Sequence, residues 1–206
     1  MSGSQIRPFL AGTNYKEGLH VLDPASVWAV LGPRLDLPDR VALGDSVIRT
    51  PRFPGNLGTP SGVQLATPEA LGRIAHTKGR PGRRLLIEAL PLLRDGAVSA
   101  PETHLRLAIV DAGMPEPELD VDVYDCMGRF LGCSELAYPE FKIALEYEGD
   151  HHRTKTRQWN RDLEKYEDYK RVDWEVIRVT KWLLYSRRKK LLTQVRDALA
   201  RRGWRG

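Results

Sequence analysis

Hydrophobic positions follow two different spacings in the two halves of the chain. In the first half they recur at helical intervals. Asp23-Pro24 supplies a capping acid and a proline at the first helical position, ahead of Val27, Trp28 and Val30. A second helix is predicted from Pro38 to Ile48, with Val41, Leu43, Val47 and Ile48 as its apolar set. Thr67-Pro68-Glu69 starts a third, to about His76, and Arg83 to Leu93 reads as a fourth, broken by Asp95-Gly96. Residues 1–20 show no period. The stretch from Thr50 to Gly62 is too rich in Gly, Pro and Asn for a regular element.

The second half opens with Ser99-Ala100-Pro101-Glu102, a capping-box spacing, before Leu105, Ala108, Ile109 and Ala112 at helical intervals. Leu119, Val121 and Val123 then alternate with acids, as a half-exposed strand requires. Asp125–Gly128 is turn material, so Phe130 to Tyr138 is expected to pair back as a hairpin. Pro139-Glu140 turns the chain into a strand over 141–148. A helix from about Lys155 to Arg171 follows, with Trp159, Leu163, Tyr166 and Lys170 on its inner stripe. Trp174 to Thr180 reads as a strand, and Ser186 to Arg202 as a basic helix with Leu192, Val195 and Leu199 inside. Helix, three-strand meander, helix, strand, helix is an α/β order, a sheet sandwiched by helices. A boundary near residue 96 separates a mainly helical region, 1–96, from an α/β domain, 97–206.

Composition narrows the partners. With 41% hydrophobic and 29% charged residues the chain can bury a core. No apolar run approaches the ~20 residues that span a bilayer, and no hydrophobic signal segment opens the chain, so no membrane partner is expected. Two cysteines, Cys126 and Cys133, point toward a reducing, cytoplasmic setting. The net charge of +5 is unevenly spread: from Lys181 onward Asp197 is the single acid among nine basic residues, including Arg187, Arg188, Lys189 and Lys190. Such a tail is either a polyanion footprint or a solvated helix face. The basic loop 78–84 is a second phosphate contact or a linker.

The chemistry concentrates where strand 141–148 ends. Glu146, Glu148, Asp150, His151, His152 and Arg153 are delivered to one spot, and Glu135 lies on the neighbouring strand. Crowded carboxylates repel unless a cation sits among them, and hard oxygen ligands suit Mg²⁺ or Mn²⁺. Glu135 and Glu146 are candidate metal ligands. Glu148 shares a face with Glu146. His151 or His152 can move a proton or touch phosphate. Glu102 has the position of a capping acid, and Arg178 is expected to pair with a site carboxylate or a phosphate, or to form an edge salt bridge. Zinc is disfavoured, because the Cys and His spacing does not match a finger.

The run Ser99-Ala-Pro-Glu102, Gly132-Cys-Ser-Glu135-Leu-Ala-Tyr-Pro-Glu140, Ile143-Ala-Leu-Glu146-Tyr-Glu148-Gly-Asp-His151-His152-Arg153, Trp159-Asn-Arg-Asp162 and Trp174-Glu-Val-Ile-Arg178 resembles domains related to very-short-patch-repair endonucleases. These belong to the PD-(D/E)XK, or restriction-endonuclease-like, superfamily. The resemblance covers about residues 97–204. It implies a restriction-endonuclease-like central mixed sheet flanked by helices and a Mg²⁺-dependent phosphodiesterase. It also places Glu135 at the first metal-binding acid, Glu146 at the second, Glu148 at the motif lysine position, His152 at the histidine after the glycine, and Glu102 at the acid of the first helix. Glu135 replaces the family's Asp, and Cys133-Ser134 departs from the usual surroundings. Residues 1–96, through Gly18–Ala25 and the helices to Leu93, resemble the helical region of AbiEi-like proteins of abortive-infection toxin–antitoxin systems.

The expectation is therefore a cytoplasmic Mg²⁺-dependent (or Mn²⁺-dependent) DNA endonuclease. Glu135 and Glu146 would hold metal, Glu148 position water, His152 assist proton transfer, and Glu102 complete the catalytic set. His151, Arg153, Arg178, Arg187, Arg188, Lys189 and Lys190 would contact nucleic acid. The alternatives are an RNA substrate, or an inactive nucleic-acid-binding or antitoxin-type regulator that keeps the fold.

Overall fold

The computed structural model describes residues 7–52, 63–149 and 156–206. The chain divides into two compact units with a border at Gly96–Ala97, and Pro51 and Arg52 group with the second.

The first unit is not wholly helical. Thr13–Lys16 (β1) and Leu19–Leu22 (β2) form an antiparallel hairpin, with Thr13 opposite Leu22. Its turn residues Glu17 and Gly18 have φ values of 50° and 84°. Positive φ at both central positions gives the turn the twist of the strands it joins. Four helices follow. Pro24–Leu31 (α1) is capped by Asp23, which accepts from the Ser26 N–H. Leu37–Ile48 (α2) starts one residue earlier than expected, because Asp36 caps it by accepting from the Asp39 N–H. Pro68–His76 (α3) is capped by Thr67. Arg83–Ala89 (α4) ends short of Leu93, since the chain tightens into a 3₁₀ turn at Leu90–Leu92 around Pro91. Trp28 is fully buried in the unit's core, and its indole N–H donates to the Arg40 carbonyl at 3.0 Å. At ~25 cal/mol per Å², an indole of ~150–250 Å² contributes on the order of 4–6 kcal/mol. Gly44 lets α2 approach that core closely, because a Cβ there would press on the Leu93 side chain and the Trp28 indole.

The second unit is a mixed α/β fold. Its elements are Ala100–Asp111 (α5), Glu118–Tyr124 (β3), Phe130–Tyr138 (β4), Ile143–Glu148 (β5), Thr156–Arg171 (α6), Glu175–Thr180 (β6) and Arg188–Arg201 (α7). The sheet order is β3-β4-β5-β6. The first three strands form an antiparallel meander, and β6 returns parallel to β5 after the α6 crossover that a parallel pair requires. Leu105 and Ile109 of α5 and Val195 and Leu199 of α7 pack with Leu136 and Leu145 on one face. On the other face Tyr169 of α6 packs with Val123, Leu131 and Ala144.

Three details depart from the sequence reading. The central strand begins at Ile143, not 141, because Pro139–Phe141 forms a 3₁₀ turn and Lys142 takes φ 50°. In α6, Tyr169 is the buried residue, whereas Lys170 is exposed and Tyr166 half-buried; the side chains of Trp159 and Leu163 lie outside the described set. A π-helical turn, Trp182–Ser186, precedes α7. Among the described residues, no helix is long and apolar enough to cross a membrane.

Candidate active site

The sheet register lays acids side by side. On β3 and β4, Leu119 pairs with Leu136 and Val121 with Ser134, which sets Asp120 opposite Glu135. The β4–β5 pairing runs from Tyr138–Ile143 to Leu136–Leu145, and Glu135 and Glu146 are the next residues of that register. Residues directly opposite on antiparallel strands share a face. Glu146 is in turn paired with Arg178 of β6. The register thus brings Glu135, Glu146 and Arg178 near one another on neighbouring strands, with Asp120 on the strand beyond.

Each acid is held differently. The Glu135 carboxylate accepts the Tyr147 backbone N–H at 2.6 Å. Its carboxyl therefore takes up an amide of β5 just beyond the paired register. Glu146 is 5% exposed and lies 2.9 Å from the Lys165 ammonium of α6. Lys165 also donates to the Cys133 carbonyl at 2.6 Å, which ties it to β4 as well. Glu102, 2% exposed in the first turn of α5, accepts from the Val98 N–H at 2.9 Å and the Ser99 hydroxyl at 2.8 Å. The predicted capping box is only half made. Glu102 engages the residues before the helix, but the Ser99 hydroxyl donates to Glu102 and caps no backbone amide.

Asp120 lies on β3. It adopts φ 53°, the left-handed region that non-glycine residues seldom enter. The Cys133 thiol donates to it at 2.9 Å, and Arg52 approaches it at 3.0 Å while also reaching Asp122 at 2.7 Å. Burial first, then the hydrogen bond and charge of Asp120, push the Cys133 thiol well above its ordinary range. It is a hydrogen-bond donor here, not a nucleophile.

The carboxyls repel one another. Burial, then the charges of Glu102 and Glu146, push Glu135 up to about 9, against the pull of the Tyr147 amide and Lys165. Burial pushes Glu102 up to about 7; the Val98 and Ser99 bonds oppose this, and Asp120 and Glu146 reinforce it. These groups titrate together. The oxygens that the cluster offers are all hard donors. That donor set fits Mg²⁺ or Mn²⁺.

Glu148 stands one rung on. It accepts from Arg178 Nε at 2.6 Å and from the Tyr166 hydroxyl at 3.3 Å, and the Arg178 guanidinium lies 5.6 Å over the Tyr166 ring. Arg178 therefore pairs with a site carboxylate.

Of the residues singled out from sequence, Glu102, Glu135, Glu146, Glu148 and Arg178 come together. His151, His152 and Arg153 lie outside the described residues. Arg187, Arg188, Lys189 and Lys190 are exposed around the start of α7. The 78–84 loop belongs to the first unit, and its Arg80 is 6% exposed and donates to the Ile74 and Leu10 carbonyls. That arginine is a structural strut, not a phosphate contact. Among the described residues, no three His, Cys, Asp or Glu groups are set as a ready-made metal-ligand cluster; protein donors hold the acids instead. Sequence reasoning missed Lys165, Asp120 and Arg52.

No family model matches the chain, and no solved structure matches it. Two uncharacterized Mycobacterium tuberculosis proteins, MT2308 of strain CDC 1551 / Oshkosh and Rv2248 of strain ATCC 25618 / H37Rv, are each 27% identical to it over 115 residues. The match covers 56% of this chain and 42% of each relative, so the chain spans less than half their length.

Proposed function

We propose that the second unit is a metal-dependent phosphodiesterase acting on DNA, with a restriction-endonuclease-like sheet as its frame. The observation that carries the reading is the crowding of Glu102, Glu135 and Glu146, with the Lys165 ammonium against Glu146. A stability-driven core does not gather like charges in this way. Perturbed carboxyls in a polar cluster are a functional signature.

Glu135 and Glu146 would hold Mg²⁺ or Mn²⁺, with Glu102 beside them. The bound ion would supply Lewis acidity at a phosphoryl oxygen and a lowered pKa for a water. Lys165 holds a proton at Nζ, neutralises Glu146 and fixes its rotamer. Arg178 and Tyr166 orient Glu148, a carboxylate positioned to accept a hydrogen bond from water. The exposed Arg188, Lys189 and Lys190 offer sequence-independent phosphate contacts. The AbiEi-like resemblance of residues 1–96 suits a defence setting for such an activity.

A second reading rests on a specific observation: the Tyr147 amide and Lys165 already engage Glu135 and Glu146 without a metal. A binding protein that keeps the frame and lacks the chemistry would look the same. Plasmid nicking separates the two. Cleavage with Mg²⁺ that disappears with EDTA and falls at least about a hundredfold in Glu146→Gln supports the enzyme. Plasmid binding with no cleavage under Mg²⁺ or Mn²⁺ supports the regulator.

A further inference from the structure

The π-helical turn Trp182–Ser186 carries two rings outward. Trp182 is 53% exposed and Tyr185 44%, while Leu184 between them is fully buried and anchors the turn. Exposed aromatics forgo the burial that ordinarily stabilises such rings, and π-helical turns concentrate at functional sites. The turn is also rigidly referenced to the carboxylates. Tyr185 exchanges a hydrogen bond of 2.9 Å with His104, two residues after Glu102 on α5. Thr180, paired with Glu148, ends β6 two residues before Trp182. The rings therefore flank the end of the sheet that presents the acids.

The segment that carries the rings has charge of one sign. The Arg187 guanidinium stacks 5.3 Å over the Trp182 ring, and Lys181, Arg188, Lys189 and Lys190 are all exposed. Lys181 to Arg196 contains no acid. An aromatic face framed by cations matches a nucleobase joined to phosphates. In a duplex both base faces are hidden in the stack, so a ring platform gains contact only when the base is unpaired.

We propose that Trp182 and Tyr185 form a stacking platform for unpaired nucleotides, so that this unit engages single-stranded nucleic acid in preference to duplex. The proposal builds on the nucleic-acid reading above, and its test does not depend on cleavage. Fluorescence anisotropy of the full chain is measured in EDTA with labelled oligothymidylate, an abasic strand of the same length, and a duplex. The expected results are tighter binding of oligothymidylate than of duplex, and an about tenfold loss of that affinity in Trp182→Ala. Trp182→Phe restores most of the affinity, and neither change alters binding to the abasic strand. Lys189→Gln with Lys190→Gln weakens all strands alike and flattens the salt dependence. Wild-type affinity in Trp182→Ala, an equal loss on the abasic strand, or equal binding of duplex overturns the platform. Tryptophan-dependent binding without Mg²⁺-dependent nicking sinks the hydrolytic reading alone; nicking without it sinks only the platform.

Discussion

Both units bury charge, and they treat it in opposite ways. In the first, each buried charge is met by backbone. Arg40, 3% exposed, donates to the Gly32, Leu35 and Leu85 carbonyls and pairs with Glu88 at 3.5 Å. Asp45, fully buried, accepts from the Arg94 N–H. These groups staple loops to helices and are satisfied in place. In the second unit, like charges are brought within range of one another and their pKa values are driven apart from their ordinary range. A satisfied buried charge serves architecture, and an uneasy group of them is what the proposed chemistry would draw on.

That contrast is broken most sharply by Arg40→Met. The three carbonyls lose their donors, and a loss of about 3–4 kcal/mol in chemical denaturation is expected, indifferent to divalent cations. An effect on nicking larger than the loss of folded protein would erase the distinction. The pH dependence sharpens it from the other side. A carboxyl raised on folding binds its proton more tightly in the folded chain, so its contribution is complete below the ordinary carboxylate range. It is lost as pH climbs through about 7 and toward about 9. Without metal, the melting temperature should fall over that window, by the equivalent of roughly 2 kcal/mol. Mg²⁺ should flatten the slope, and Glu135→Gln should remove most of it; a slope unchanged by both would mean the carboxyls are not the source. The smallest effect is expected at Arg178→Gln. Its pair with Glu148 is 44% exposed on the arginine side, so stability should change by under about 1 kcal/mol. Nicking should fall more than that through the misoriented Glu148.

Much of the frame was readable in the chain. Thr67-Pro68 and Asp23-Pro24 cap helices where local chemistry alone demanded it, and β4 runs from Phe130 to Tyr138 as its turn signals required. The β1–β2 hairpin was not legible. Its turn is Glu17-Gly18, not Asn-Gly, and the exposed β2 shows no alternation. Glu135 and Glu146 were legible because acids interrupt apolar settings, whereas Glu102 read as a capping acid and joined them only through the family resemblance. Lys165 was not, since one lysine among the many charges of α6 reads as a solvated face until the helix docks. Asp120 was hidden similarly: its alternation with Glu118 and Asp122 reads as an exposed strand edge, and only the left-handed backbone and Arg52 turn it inward.

The bond between the Tyr147 amide and Glu135 has a consequence for how the sheet keeps time with its chemistry. A side chain stands there in place of a backbone carbonyl, so the seam between β4 and β5 is closed by a group that can change its charge. Drawing that carboxylate away removes this one bond, so exchange at the Tyr147 amide should quicken and report on the Glu135 carboxyl.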